Sequence, residues 1–224
     1  MASWMVHLRV ADALLDKFNG LTETAFVVGN IAPDSGVPTP DGRAYVPDKN
    51  TSHFKRPDKT GKTEISPEAF ADQYFTKEMR AGYNRKQYSF YLGYYVHLLT
   101  DVLWKQEVWY PAVNAYRAAY EADPQEMIRK WKRDWYDLDF RYLREHPDFR
   151  AFQIYEQAIG FENGYLDIFA GDAFDDRRKY ITGFYRKGRE DLDREYPYLN
   201  EKQMDKFVED AVEYIENVLG AAKF

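Results

Sequence analysis

The residues of this chain with the most specific chemistry are its histidines and the aspartates near them. His97 and Asp101 lie four positions apart in FYLGYYVHLLTDVLW, residues 90–104, which is otherwise largely apolar. On a helix, this spacing places both side chains on one face, and Gly93, one turn earlier, leaves room beside the imidazole. Burying an imidazole with a carboxylate is costly unless a hydrogen bond or a metal ion compensates both. The segment therefore predicts a core helix that carries a buried His–Asp pair or part of a metal site.

This spacing is a weak motif by itself, because 37 acidic residues among 224 place an acid four positions after some histidines by chance. Three further candidates lie in the first half of the chain. They are His7 in the first turn of an amphipathic helix, Asp34 in the turn APDSG, and His53 in SHF. Taken singly, each is typical of a core, surface or turn residue. Together with His97 and Asp101, they form a plausible set of zinc ligands.

Composition limits the classes of protein that fit this chain. Cysteine is absent, so disulfides are excluded and a metal site must use nitrogen and oxygen ligands. A net charge of −6 argues against binding to a nucleic-acid duplex through overall basic charge. No apolar run approaches the ~20 residues of a membrane helix, and the first residues lack the features of a signal peptide. We therefore expect a cytoplasmic protein without a transmembrane segment.

Hydrophobic periodicity predicts helices along most of the chain. Apolar residues recur at helical spacing, and no strand alternation of any length is evident. Thr22 is expected to begin its helix with a capping box, and Pro111 to kink or break another. The pattern predicts one all-α domain over residues 1–224, with a long irregular loop at 36–66. The predicted helices span 4–18, 22–31, 66–79, 85–103, 105–121, 124–145, 148–159, 173–187 and 200–219.

Polar residues outside the histidine set carry weaker signals. The loop at 36–66 has a cluster of cations around His53, of which Lys55 and Arg56 are weak candidates for binding an anionic substrate. An ordinary solvated loop explains each of these cations equally well.

The predicted helix 124–145 has an aromatic stripe that includes Trp131 and Trp135. Such a stripe is more typical of a core face than of a ligand site. Asp137 and Asp139 of the same helix are expected to face water.

Several common catalytic signatures are absent. No histidine directly precedes an aspartate, as in the HD phosphohydrolases, and both Glu-x-x-His and His-Glu-x-x-His are missing. These absences argue against a ferritin-like di-iron bundle and against a zincin protease. No glycine-rich phosphate loop precedes a helix.

Four segments, in the same order along the chain, resemble those of the zinc-dependent phospholipase C family, which is related to the S1/P1-type nucleases. The segments are Trp4…His7, GNIAPDS, SHF and YVHLLTD, and they cover about residues 4–104. The resemblance implies an all-α, phospholipase C/P1 nuclease-like bundle of helices with a metal cluster between them.

Carried over from this family, the ligand set of one zinc ion is Asp34, His53, His97 and Asp101. The resemblance further implies that Asp101 bridges to a second metal, which His7 also binds. Asp34 additionally matches a candidate general base of the family. Every position in this assignment is taken from the matching motifs.

The chain departs from the family pattern in two places. In secreted relatives, a processed N-terminal tryptophan gives its free amine to a metal, whereas Trp4 here follows Met-Ala-Ser. The family's third metal uses two further histidines and an acid. The one later histidine of this chain, His146, has Arg150 rather than an acid at i+4.

The resemblance implies a metal-dependent phosphoester hydrolase that holds one or two zinc ions, or other divalent metals, and acts on a small phosphorylated substrate. Bound zinc lowers the pKa of water from ~16 towards ~7, and two metals can stabilise an in-line attack at phosphorus. Two alternatives stay open. One is a non-catalytic, metal-stabilised binding or structural protein, and the other is a metal-free bundle with a buried His97–Asp101 pair.

Overall fold

Helices form most of the structure and confirm the all-α prediction. A computed structural model of the chain describes residues 1–41 and 43–221. None of the described helices is long and apolar enough to cross a membrane. The helices are α1 (Trp4–Leu15), α2 (Glu23–Ile31), α3 (Lys49–Ser52), α4 (Pro67–Tyr74), α5 (Lys77–Gly82), α6 (Arg85–Trp104), α7 (Tyr110–Ala115), α8 (Arg117–Ala122), α9 (Pro124–Glu145), α10 (Arg150–Gln157), α11 (Ala173–Arg186) and α12 (Glu201–Ala221).

The segment 36–66, predicted as a long irregular loop, contains helix α3 and two antiparallel β-hairpins. The hairpins pair β1 (Val37–Pro38) with β2 (Tyr45–Val46), and β3 (Lys55–Pro57) with β4 (Thr63–Ile65). Strands this short show no alternation in sequence, which explains why periodicity missed them. Asp48 begins α3 by accepting hydrogen bonds from two backbone N–H groups of its first turn.

Several helix boundaries differ from those predicted by hydrophobic spacing. Helix α1 ends at Leu15 rather than at 18, and the helix predicted at 66–79 divides into α4 and α5. Thr76 begins α5, since its hydroxyl accepts the backbone N–H of Met79. Thr22 makes no side-chain cap to α2, so the predicted capping box is wrong.

The region predicted as one helix at 105–121 is a π-helical turn at 105–109 followed by α7 and α8. Pro111 lies in the first turn of α7, where its missing N–H leaves no hydrogen bond unmade. The α-helix is therefore interrupted just before the proline, by the π-helical turn at 105–109, and not at Pro111 itself.

Helix α6 runs through the centre of the fold. It begins with a capping box at Asn84, and nearly every residue over 89–104 is buried. At its C-terminal end, the Trp104 ring packs edge-on against Trp135 of α9 and Phe207 of α12. The apolar stretch found in the sequence is therefore surrounded by other helices, as a core helix requires.

Helices α2 and α6 are in backbone contact at two glycines. A Cβ atom on Gly93 would lie 2.1 Å from the carbonyl oxygen of Phe26, and one on Gly29 would lie 2.1 Å from that of Phe90. Any larger residue at either position would force the helices apart. Gly93 thus makes room for α2, and not for the imidazole of His97 as predicted.

Two aspartates of α9 that were expected to face water are buried. Asp137 forms an ion pair with Arg194 at 2.6 Å. Asp139 accepts hydrogen bonds from the hydroxyl groups of Ser3 and Tyr185, both at 2.8 Å. Burial raises the pKa of Asp139 to about 7, although these two hydrogen bonds oppose the shift.

The glycine contact gives a first prediction. We expect Gly93→Ala to lower the free energy of unfolding by about 1–3 kcal/mol or more, because the added methyl group overpacks backbone atoms that cannot rotate away. Gly183→Ala is the matched control, since Gly183 is helical and a Cβ atom added to it would meet no other described residue within 4 Å. That control should gain up to about 1 kcal/mol from helix propensity. Urea unfolding measures the free energy of unfolding of both variants. Equal values for Gly93→Ala and Gly183→Ala would contradict the close contact at Gly93.

Candidate metal centre

Asp101 of α6 lies at the centre of a cluster of three histidines, and all four side chains are fully buried. Its Oδ1 atom is 3.4 Å from Nε2 of His7 and accepts a hydrogen bond of 2.7 Å from the backbone N–H of Ala2. Its Oδ2 atom is 3.5 Å from Nε2 of His53 and 3.6 Å from Nε2 of His97. The two oxygens of Asp101 therefore face two different parts of the cluster.

His7 is positioned by the first turn of α1. Ser3 caps this helix, since its hydroxyl accepts the backbone N–H of Val6 at 3.4 Å and donates to Asp139 of α9 at 2.8 Å. One turn further on, the His7 ring stacks on the His97 ring, with ring centres 3.8 Å apart and planes within 6°. The buried Asp139 thus helps to place α1, and α1 places His7.

Asp34 comes from the 3₁₀ turn at 32–34 that follows α2. Its side chain is 7% exposed, and its Oδ1 atom lies 3.6 Å from Nε2 of His53 and 3.5 Å from Nζ of Lys49. Asp34 and Lys49 both line a cleft of about 140 Å³. Asp34 therefore stands between the buried cluster and the cleft.

His53 follows the last residue of α3 and is held by its neighbours. The Ser52 hydroxyl is 2.9 Å from Nδ1 of His53, and the Tyr94 hydroxyl of α6 donates to the Ser52 carbonyl. The next residue, Phe54, has a φ of +49°, a left-handed conformation that is uncommon for a bulky residue. Buried packing of Phe54 against Tyr94 stabilises this turn, which directs His53 towards α6.

The ring nitrogens of two histidines converge. Nδ1 of His97 is 2.7 Å from the carbonyl oxygen of Asn30, which can only accept, so in the neutral ring Nδ1 carries the proton and Nε2 has the lone pair. Nε2 of His53 lies 3.3 Å away from that Nε2. The hydroxyl of Ser52 can accept a hydrogen bond from Nδ1 of His53. In that tautomer Nε2 of His53 has a lone pair that faces the lone pair on Nε2 of His97. A cation bound there relieves the repulsion between the two lone pairs.

Several buried atoms of the cluster lack partners. Among the residues that the structure describes, both ring nitrogens of His7 and Oδ2 of Asp101 have no hydrogen bond. Such atoms are costly to bury unless something else satisfies them. Two overlapping sets of residues could each hold a metal, since the ligand atoms within each set lie within 4.8 Å of one another. One set is His7, His97 and Asp101, and the other is Asp34, His53 and His97. Imidazole nitrogens and carboxylate oxygens are suited to zinc, so the cluster fits a divalent metal.

The sequence match agrees with this geometry. A family model described as zinc dependent phospholipase C matches residues 6–124, which is more than half of the chain. The chain belongs to this family. No curated protein and no solved structure matches the chain at a significant level. Membership of the zinc dependent phospholipase C family confirms the resemblance found in the motifs, and the matched range contains every clustered residue.

Burial and mutual charge set the protonation of the cluster. Burial, with a smaller contribution from neighbouring His97, lowers the pKa of His7 to about 4. Burial also lowers the pKa of His53, to about 3. For Asp34, burial acts to raise the pKa, but Lys49 and the nearby imidazoles outweigh it and the pKa falls to about 2. Near neutral pH, His7 and His53 are therefore neutral and Asp34 is ionised, which are the forms that bind metals.

The pKa of Asp101 is lowered, as is that of Asp34. Burial acts to raise its pKa, but the positive charge of the amino terminus, followed by the imidazoles of His7 and His97, holds the pKa well below its usual range. An ionised carboxylate is thus available at the centre of the histidine–aspartate cluster.

Other residues considered from the sequence do not join the cluster. Lys55 and Arg56 lie in β3, where the guanidinium of Arg56 donates to the Lys55 carbonyl, and neither lines the cleft beside Asp34. His146 is exposed at the end of α9, with Nδ1 2.9 Å from the Tyr142 carbonyl oxygen. It also lies outside the range matched by the family model.

Sequence reasoning missed the groups that orient the histidines. Asn30 acts through its backbone carbonyl, and Ser3 acts through a helix cap and a hydrogen bond to Asp139. Ser52 lies beside His53 in the quoted motif, but nothing in its type identifies the contact with the imidazole. Asn30 was likewise within a quoted motif, and only its position there could have drawn attention to it.

The depressed histidine pKa values give a second prediction, for metal-free protein. An unfolded histidine takes up its proton near pH 6.5, whereas His7 and His53 do so near 4 and 3 in the folded state. The unfolded state therefore binds more protons below about pH 6.5, and the free energy of unfolding should fall as pH decreases from there. The slope approaches about 1.4 kcal/mol per pH unit for each histidine.

Urea unfolding of EDTA-dialysed protein at a series of pH values measures this slope. His146→Gln is the control, since His146 is exposed, and it should leave the slope unchanged. His53→Gln should reduce the slope. An unaltered slope in His53→Gln would show that His53 is not held neutral by burial.

Proposed function

We propose that this protein is a zinc-dependent phosphoester hydrolase that acts on a small phosphorylated substrate. The observation that carries the proposal is the convergence of the Nε2 atoms of His53 and His97 on the buried carboxylate of Asp101. Family membership supports zinc and phosphoester hydrolysis at the level of the family.

One or two ions fit the donor atoms. His53, His97 and Asp34 supply one set of donors, and His7 supplies nitrogen on the other side of Asp101. Asp101 would contribute to both sets, because its Oδ1 faces His7 while its Oδ2 faces the other two histidines. Other divalent metals that accept nitrogen and oxygen ligands are compatible with the same set.

Zinc supplies Lewis acidity, which makes water nucleophilic near neutral pH and stabilises negative charge on a phosphoryl oxygen. The chain supplies orientation and charge. Asp34, at the boundary between cluster and cleft, is placed to accept a hydrogen bond from the attacking water and align it with phosphorus. Its pKa of about 2 makes it a weak base, so we assign it mainly an orienting role. Lys49, 3.5 Å from Asp34, is placed to attract the phosphate.

A second candidate is a metal-stabilised binding or structural protein without turnover. It is favoured by the sequence, which has no matches for the family's third-metal ligands. It predicts a metal that raises the melting temperature and no hydrolysis of any phosphoester tested. The two candidates share the metal centre and differ in turnover alone.

Our third prediction concerns metal content and activity. Elemental analysis should find stoichiometric zinc, and EDTA dialysis should abolish hydrolysis of 4-nitrophenyl phosphate esters. His97→Ala should remove both zinc and activity, whereas His146→Ala, at the exposed histidine, should change neither. A wild-type protein that neither contains zinc nor binds added zinc would refute the proposal.

Asp34→Asn tests the role of the carboxylate without a change in size. We expect kcat/KM to fall by about 10²-fold, the usual scale of loss when a reacting group is misaligned. Bound zinc should be retained in at least one site, because His53, His97 and Asp101 are unchanged. If Asp34→Asn keeps wild-type activity, Asp34 neither orients nor activates the water.

A further inference from the structure

Three cations from separate parts of the chain line the cleft beside the metal centre. They are Lys49 of α3, Lys132 of α9 and Arg177 of α11, and Asp34 lines the same cleft. None of the three belongs to the histidine–aspartate cluster. Lys132 and Arg177 also lie outside the range of the family match.

These cations are poorly neutralised by the protein. Within residues 1–41 and 43–221, no carboxylate lies within 4.0 Å of Lys132 or Arg177, and Lys49 pairs only with Asp34. Neighbouring cations on the same two helices are paired, for example Lys130 with Glu126 and Lys179 with Asp175. The chain has a net charge of −6, so a cleft lined by three cationic side chains and one paired carboxylate is a local concentration of positive charge.

Contacts within the protein restrain Arg177, and Lys132 lies near a second positive charge. The guanidinium of Arg177 donates to the carbonyl of Gly36 and lies 5.4 Å from the centre of the Tyr180 ring, and both contacts restrict its position. Partial burial, followed by the charge of Lys49, lowers the pKa of Lys132. The two ammonium groups thus repel each other across the cleft, and a bound anion would stabilise both.

We propose that Lys49, Lys132 and Arg177 form an anion subsite beside the metal centre that selects substrates with at least two negative charges near the scissile bond. The proposal rests on the proposed hydrolase function and adds a substrate class to it. Phosphomonoesters, and esters that carry a second phosphate, fit this subsite. A substrate with a cationic group at this position is disfavoured, because it would meet three positive charges.

The first test uses metal-free protein, so that only the cations bind the probe. Calorimetric titration with inorganic pyrophosphate should show binding to the wild-type protein. Lys132→Gln should weaken it about tenfold, the effect of losing one hydrogen bond between charged groups. Lys130→Gln, two residues away on the same helix, is the matched control and should bind like the wild type. Equal affinities of Lys132→Gln and Lys130→Gln would overturn the subsite.

The second test uses zinc-loaded protein and compares kcat/KM for 4-nitrophenyl phosphate with that for bis(4-nitrophenyl) phosphate. Lys132→Gln should reduce the ratio of monoester to diester activity about fivefold or more, whereas Lys130→Gln should preserve the ratio. A ratio unchanged in Lys132→Gln overturns the subsite and leaves the hydrolase standing. Pyrophosphate binding that depends on Lys132, in a protein without hydrolysis, supports the subsite and overturns the hydrolase.

A third measurement identifies the source of the anion, since a lipid headgroup and a soluble phosphate share this chemistry. Vesicles of phosphatidylcholine that contain phosphatidic acid are compared with soluble 4-nitrophenyl phosphate. Phosphate release from the vesicles that depends on Lys132 assigns the anion to a lipid. If only hydrolysis of the soluble ester depends on Lys132, the anion is a soluble phosphate. If the protein hydrolyses these substrates and neither rate depends on Lys132, the proposal is overturned.

Discussion

The histidine–aspartate cluster depends on the close approach of α2 and α6. The two helices meet at Gly29 and Gly93, where no side chain separates their backbones. This contact brings the carbonyl oxygen of Asn30 to 2.7 Å from Nδ1 of His97. A carbonyl can only accept a hydrogen bond, so it determines which nitrogen of His97 carries the proton and which is free to bind. The close packing of the two helices thus determines the tautomer of the His97 imidazole.

The cluster is costly to the fold that contains it. Both ring nitrogens of His7 and one oxygen of Asp101 are buried without hydrogen bonds from the described residues, and Phe54 adopts a strained backbone conformation beside His53. The surrounding helices tolerate this because their apolar contacts are extensive. Unsatisfied atoms and strain of this kind are typical of a site that a ligand completes, since binding energy then contributes to stability.

The charged groups around the site lie in two adjoining regions. The cluster places carboxylates and neutral imidazoles in the interior, where they suit a cation, and the adjoining cleft presents cations to solvent. Both regions would suit the proposed phosphoester substrate, because a cation held by the cluster can activate water as the nucleophile and the cleft cations attract the anionic phosphoryl oxygens. The boundary between the two regions is Asp34, which faces His53 on one side and Lys49 on the other.

Much of this organisation is visible in the sequence. The helical period and the apolar run predicted α6 to within a residue or two, and four short motifs in order identified the family. Local patterns succeed here because helix formation and the spacing of His97 and Asp101 depend on neighbours along the chain. They fail for the two hairpins, whose strands are too short for alternation, and for the division between α4 and α5 at Phe75 and Thr76.

The sequence by itself determined that the protein is helical, that it belongs to a zinc dependent family, and which residue types could bind a metal. Only the tertiary structure decided that Asp137 and Asp139 are buried, that Asn30 orients His97, and that Lys132 and Arg177 share a cleft with Lys49. These facts depend on contacts between residues far apart in the chain. Helical periodicity specifies which face of a helix is apolar, but it does not specify which other helix will cover that face.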